Sequence, residues 1–73
     1  MITKKYIKEL EFNTIKDIFN YIVDSEINGN YSQVKEFMLK LSNTQFINFC
    51  KWFNYDMPQN TKPLNWFIEK RKE

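Results

Sequence analysis

The chain has 73 residues, of which 42% are hydrophobic, and its formal net charge is +2. One cysteine and no histidine exclude an internal disulfide and a structural zinc site, and one glycine is too few for a glycine-rich phosphate loop. The length predicts one domain, residues 1–73. Because no signal peptide or apolar run of about 18 residues is present, we expect the protein to lie in the cytoplasm without membrane contact.

The sequence pattern predicts the first helix less clearly than the second. Ile2, Tyr6 and Leu10 have helical spacing, whereas residues 10–12 also suit an extended chain, and we predict a short helix there. Thr14 and Asp17 have the spacing of a capping box, which predicts a helix beginning at the next residue. Its apolar residues recur at helical intervals: Ile15, Ile18, Phe19, Ile22 and Val23.

The third element follows a polar turn. Asn28 and Gly29 can both adopt positive φ, so they predict the end of the preceding helix. The turn partly matches a calcium-binding EF-hand loop, but Lys35 stands where the bidentate glutamate is required, and we predict no calcium site. A second apolar stripe follows, capped by Asn30 or Ser32, and consists of Val34, Phe37, Met38 and Leu41.

The fourth element contains five of the thirteen aromatic residues within positions 46–55. Ser42 and Gln45 have capping-box spacing, and the segment 56–58 ends the helix at a proline. Its predicted core stripe is Phe46, Phe49, Cys50 and Phe53. Trp52 and Ile47 widen the apolar face to more than half of the circumference, about twice what a surface helix needs. Either this helix is central to a bundle, or part of it meets something outside the chain.

The last element begins near Pro63, since proline is tolerated in the first turn of a helix. Leu64, Phe67 and Ile68 should then face inward, with Trp66 to one side. The pattern as a whole predicts an all-α fold: a small bundle of four short helices joined by tight turns, or five if the N-terminal helix forms.

Catalytic chemistry is poorly supplied. The commonest general base near neutral pH is absent because there is no histidine. Cys50 has no histidine partner and lies on the most apolar stripe, where burial makes a thiol unreactive. We therefore predict that the protein is not an enzyme and has neither a cofactor nor a metal site.

Protein binding is the function that these residues favour. Trp and Tyr dominate the energetics of protein interfaces. Trp52, Tyr55 and Trp66 lie at the edges of the apolar stripes, where they would either close the rim of the core or form an aromatic patch for a partner. The partner would be a host protein or a second copy of the chain, which leaves a homodimer as an alternative.

Nucleic-acid binding is the second hypothesis. The helical segments 33–41 and 45–54, with a short turn between them, have the arrangement of a helix-turn-helix, although the second has no arginine to read guanine. The cations that would serve this function are mainly in the C-terminal helix: Lys51, Lys62, Lys70, Arg71 and Lys72.

The amino-acid usage indicates the genome of origin. Lys, Asn, Ile, Phe, Tyr and Met supply 41 of 73 residues, and there is no alanine, which is typical of AT-rich coding. A short, aromatic-rich chain with this bias fits an accessory protein of a phage or other mobile element. Such a protein would bind and inhibit or redirect a host protein or defence complex in the host cytoplasm.

Overall fold

Five helices and no strands make up the computed structural model, which describes all residues from 1 to 73. The helices are α1 (Lys4–Glu9), α2 (Ile15–Ile27), α3 (Tyr31–Lys40), α4 (Asn43–Asp56) and α5 (Leu64–Lys72). The predicted all-α bundle is confirmed, and the short N-terminal helix is its fifth member.

Side chains at the helix starts satisfy backbone N–H groups that have no partner within the helix. The Asp17 carboxylate accepts hydrogen bonds from the N–H groups of Asn13 and Thr14, at 2.9 and 3.0 Å, at the start of α2. At α4, Gln45 N–H donates to Ser42 Oγ at 3.1 Å, and Ser42 N–H donates to Gln45 Oε1 at 3.0 Å. Both predicted helix starts are therefore confirmed, and the second is a reciprocal capping box.

The helix ends also follow from particular residues. Gly29, with φ of 78°, ends α2: its N–H donates to the Glu26 carbonyl at 2.9 Å, and the next N–H, of Asn30, donates to the Ser25 carbonyl at 2.8 Å. This pair of hydrogen bonds forms a Schellman motif, which needs a residue in the left-handed conformation, and glycine adopts that conformation without strain. Met57 adopts the left-handed region, with φ of 46°, where α4 ends. Pro63 occupies the N-cap of α5, one residue earlier than the first-turn position.

The core is built around aromatic rings. Phe49 of α4 is fully buried, with its ring centroid 5.4 Å from that of Phe19 and 5.8 Å from that of Phe67. Edge-to-face and tilted ring pairs of this kind add to the stabilisation from area burial alone. Around them lie the other buried apolar residues: Ile2, Ile7, Ile18, Ile22, Val23, Val34, Phe37, Met38, Leu41 and Phe53.

The predicted core stripe of α4 needs one correction. Phe46 and Cys50 are only partly buried, while Phe49 and Phe53 are buried. Phe46 lies at the edge of the core, where the Arg71 guanidinium from α5 lies over its ring, 4.7 Å from the centroid. The centre of the buried face is therefore rotated away from residues 46 and 50 and toward Trp52.

Gln45 fixes the N-terminal segment against α4. The Ile2 N–H donates to Gln45 Oε1 at 3.0 Å, and Gln45 Nε2 donates to the Ile2 carbonyl at 2.6 Å. This pair of bonds, with the burial of Ile2 and Ile7, brings α1 beside the starts of α2 and α4. None of the five helices combines the length and the apolar character that a bilayer crossing requires.

Candidate functional site

Two open grooves meet at Ile15, which lines both of them. The first, of about 430 Å³, lies between α1 and the beginning of α2; the second, of about 510 Å³, lies between α2 and α4. We call the two together the basic furrow. Its apolar floor is formed by Ile2, Ile7, Ile15, Phe19 and Trp52. Its rim carries Lys4, Lys8, Lys16, Lys51 and Tyr55.

Trp52 serves both the core and the furrow. Its ring centroid lies 5.6 Å from that of Phe19 and 5.8 Å from that of Phe49, and the residue is partly buried. The same side chain lines the α2–α4 groove. Trp52 therefore packs on the rim of the core and also lines a surface groove, and its contact with a partner stays a prediction.

Tyr55 is the most exposed aromatic residue of the protein. Its side chain is 88% exposed, one helical turn after Trp52 on the same groove, and it makes no hydrogen bond or ring contact within the chain. A tyrosine held on a helix loses little conformational entropy on contact with a partner. Tyr55 is thus free to contact another molecule.

Trp66 lies in a different environment from the other two predicted anchors. Its ring packs edge-on against Tyr31 of α3 at 5.2 Å and against Phe67 at 5.1 Å, and Lys70 Nζ lies 5.2 Å from its centroid. It lines neither groove of the furrow. The structure brings Trp52 and Tyr55 together and leaves Trp66 in a cluster with Tyr31.

Arg71, a predicted nucleic-acid contact, is instead used within the fold. Its guanidinium donates hydrogen bonds to the carbonyls of Met38 and Leu41, the latter at 2.9 Å, and to Asn43 Oδ1 at 3.1 Å. The two carbonyls lie at the end of α3, where carbonyls lack partners within the helix, and Asn43 is the first residue of α4. Arg71 therefore joins three helices.

The other cations proposed for nucleic acid are dispersed. Lys70 and Lys72 form ion pairs with Glu73 and Glu69, at 3.2 and 3.9 Å. Lys62 lies in the α4–α5 loop, where its backbone N–H donates to the buried carboxylate of Glu26 at 2.6 Å. Lys51 alone belongs to the basic furrow.

Cys50 does not form a reactive site. The thiol is partly buried, and burial raises its pKa although the positive charge of Arg71 acts in the opposite direction. A raised pKa keeps the thiol protonated near neutral pH, so it is a poor nucleophile. No group of three or more acidic, cysteine or histidine side chains is placed to hold a metal ion.

Apart from Lys51, the lysines of the furrow rim were not among the predicted site residues, whose other cations lie toward the C-terminus. Lys4, Lys5 and Lys8 crowd one short helix, and this was a readable signal of a basic surface. Their position beside Lys16 and Tyr55 could not be predicted, because it depends on how α1 docks against α2 and α4.

A comparison of the chain with protein-family models, curated proteins and solved structures finds no match.

Proposed function

We propose that this protein is a non-enzymatic binding protein that docks on another protein through the basic furrow. Trp52 and Tyr55 are its aromatic anchors. The observation that carries the proposal is the 88% exposure of Tyr55 beside a partly buried tryptophan in one groove. Interface hot spots combine such aromatic residues with a concave, partly desolvated surface.

The biological setting that we propose is that of a phage or mobile-element accessory protein, which inhibits or redirects a host protein. Its support is compositional: AT-rich coding, short length, and no histidine for acid–base chemistry. The position of the gene tests this setting. A neighbourhood of early phage genes would agree with it, and a conserved housekeeping operon would contradict it.

Nucleic-acid binding has less support as a function. Its strongest cation, Arg71, is occupied by three acceptors within the fold, and Lys70 and Lys72 are paired with glutamates. Phosphate binding requires clustered free cations, and a helix that reads base edges favours arginine. These cations are therefore poorly placed for a duplex.

Affinity capture with matched variants tests the proposed function. The protein is immobilised and exposed to a lysate of the cells in which it is expressed, and captured proteins are quantified by mass spectrometry. We expect Tyr55→Ala to abolish capture of the specific partner while the thermal unfolding midpoint is unchanged, because the residue is 88% exposed. Leu39→Ala is the control, since Leu39 is also exposed, at 53%, and lies outside the furrow.

Equal capture by Tyr55→Ala and by the wild type would contradict the proposal. Loss of capture with Leu39→Ala alone would place the interface on α3 instead. The two variants separate these outcomes because each removes one exposed side chain and neither removes a buried one.

A further inference from the structure

The positive charge of the whole protein is concentrated around the basic furrow. Five lysines and two carboxylates lie on or beside its rim: Lys4, Lys5, Lys8, Lys16 and Lys51, with Glu9 and Asp56. They give the furrow a formal charge of +3, against +2 for the full chain, so the remaining six cations and seven anions sum to −1. When Asp17, which caps the start of α2, is also counted, the formal charge of the furrow is +2 and still equals the net charge of the whole chain.

These five lysines are also among the seven that form no ion pair, the other two being Lys35 and Lys62. The structure contains three ion pairs, and their cations are Lys40, Lys70 and Lys72. No furrow lysine has a carboxylate within salt-bridge distance. A cation without an internal partner keeps its full charge available for a ligand.

The positions of three of these lysines oppose helix stability. Lys4 and Lys5 occupy the first turn of α1, and Lys16 occupies the first turn of α2. The N-terminal end of a helix carries partial positive charge, so a cation there is unfavourable by roughly 0.3–1 kcal/mol. AT-rich coding explains why the chain has many lysines, but it does not explain why three unpaired ones occupy helix starts, where the helix dipole disfavours them.

The floor of the furrow indicates which chemical groups, besides anions that suit the lysines, a ligand would present to it. Three of its five residues are aliphatic, namely Ile2, Ile7 and Ile15, which suits apolar side chains rather than nucleobases. Trp52 packs against Phe19 and Phe49, so its ring is not a free stacking platform, and Tyr55 is the only exposed ring of the furrow. Single-strand binders instead present several open aromatic faces to successive bases.

We infer that the basic furrow binds an acidic, amphipathic segment of a partner protein. Apolar side chains of that segment contact Ile15 and Trp52, the partly exposed residues of the floor, and its carboxylates face the lysines of the rim. Helix-in-groove recognition of this kind uses apolar anchors on one face of the bound helix and charges on its flanks. The inference rests on the proposed function and adds the chemistry of the partner to it.

Fluorescence anisotropy with defined probes tests this inference. The probes are a labelled helical peptide with leucine and phenylalanine on one face and glutamate on the flanks, a twin peptide with lysine in place of glutamate, and a labelled oligothymidylate. We expect the acidic peptide to bind and its affinity to fall as salt is added. The lysine twin and the oligonucleotide should bind at least about tenfold more weakly, a difference of about 1.4 kcal/mol.

Two charge-reversal variants with equal net charge locate the site. Lys4→Glu with Lys16→Glu changes the furrow, and Lys35→Glu with Lys62→Glu changes cations outside it. We expect about a tenfold loss of acidic-peptide affinity in the first variant and less than about a twofold change in the second. The furrow variant should remain folded, because glutamate suits the first turn of a helix better than lysine.

Three results would overturn the inference: absent binding of the acidic peptide, equal losses in both double variants, or preference for the oligonucleotide. Each differs from a failure of the proposed function. If Tyr55→Ala abolishes partner capture and Lys4→Glu with Lys16→Glu does not, the furrow binds a protein that is not acidic. If neither change affects capture, both the proposed function and the inference fail.

Discussion

At the scale of single residues, Arg71 is a cation whose hydrogen-bond donors are used within the fold rather than at the surface. In the sequence it is one of several cations near the C-terminus, which suits a helix dipole or a phosphate equally well. In the structure its planar guanidinium donates to two carbonyls at the end of α3 and to Asn43, and stacks over Phe46. Sequence spacing could not reveal this, because the acceptors lie about 30 residues away along the chain.

Arg71→Met should therefore destabilise the protein. Hydrogen bonds from a charged donor contribute about 1.5–3 kcal/mol, and their loss leaves partly buried carbonyls without a partner, so we expect a decrease of about 2 kcal/mol in the free energy of unfolding. Urea titration followed by circular dichroism measures it. Lys72→Met is the control, since its exposed ion pair contributes less than about 1 kcal/mol. Equal stability of the two variants would contradict this role for Arg71.

Asp17 gives the stability a predictable dependence on pH. The backbone N–H groups of Thr14 and Asn13 hold the pKa of its carboxyl group below the ordinary value of 3.8. The folded state consequently binds fewer protons than the unfolded state, so this contribution is complete above the unfolded pKa. It is lost as the pH falls through the lower, folded pKa.

Asp17→Asn should remove that part of the pH dependence. We expect the wild type to lose more unfolding free energy than the variant between about pH 5 and about pH 2. Urea titrations at a series of pH values provide the comparison. Parallel stability curves for the two proteins would show that the capping carboxylate makes no linked contribution.

At the scale of elements, the helix starts and ends were the most predictable features. Thr14 with Asp17, Ser42 with Gln45, and Gly29 each act through hydrogen bonds within a few residues, so their effect is written locally. The buried face of α4 was less predictable. Which flank of its wide apolar stripe meets the core depends on Arg71 covering one side and Phe19 packing against Trp52 on the other.

The candidate site was predictable only in part, because it too depends on how separate helices pack together. The sequence singled out Trp52 and Tyr55 correctly as neighbours on one helix, because residues three apart share a face. It grouped Trp66 with them, whereas the tertiary structure packs that ring against Tyr31. The lysine rim arises from three separate elements, so only the docking of α1 beside α2 and α4 creates it.

The first turn of α2 provides a test of whether the furrow lysines serve the fold. Lys16→Glu replaces an unfavourable cation by a favourable anion at a helix start, so we expect the free energy of unfolding to rise by roughly 0.3–1 kcal/mol. Thermal unfolding at low ionic strength measures the change, and Lys35→Glu within α3 controls for net charge. A clear loss of stability in Lys16→Glu would mean that Lys16 supports the fold rather than a ligand.

At the scale of the whole molecule, the furrow charge bears on self-association. A two-fold dimer through the furrow would bring the lysine rims of both copies together, and like charges at close range repel. The other exposed apolar residues, such as Ile27, Leu39 and Ile47, lie on three different helices. We therefore expect sedimentation equilibrium to give the monomer mass of 9.0 kDa at both low and high micromolar concentration. A mass that doubles with concentration would favour the homodimer.

The central claim is that the basic furrow is the binding surface. Titration of isotope-labelled protein with the acidic helical peptide, followed by amide chemical shifts in NMR spectra, tests it most directly. We expect shift changes in α1, in the first half of α2 and in α4 between Asn48 and Asp56, with α5 unaffected. Shift changes confined to the region around Trp66, Lys70 and Tyr31, or no changes at saturating peptide, would contradict it.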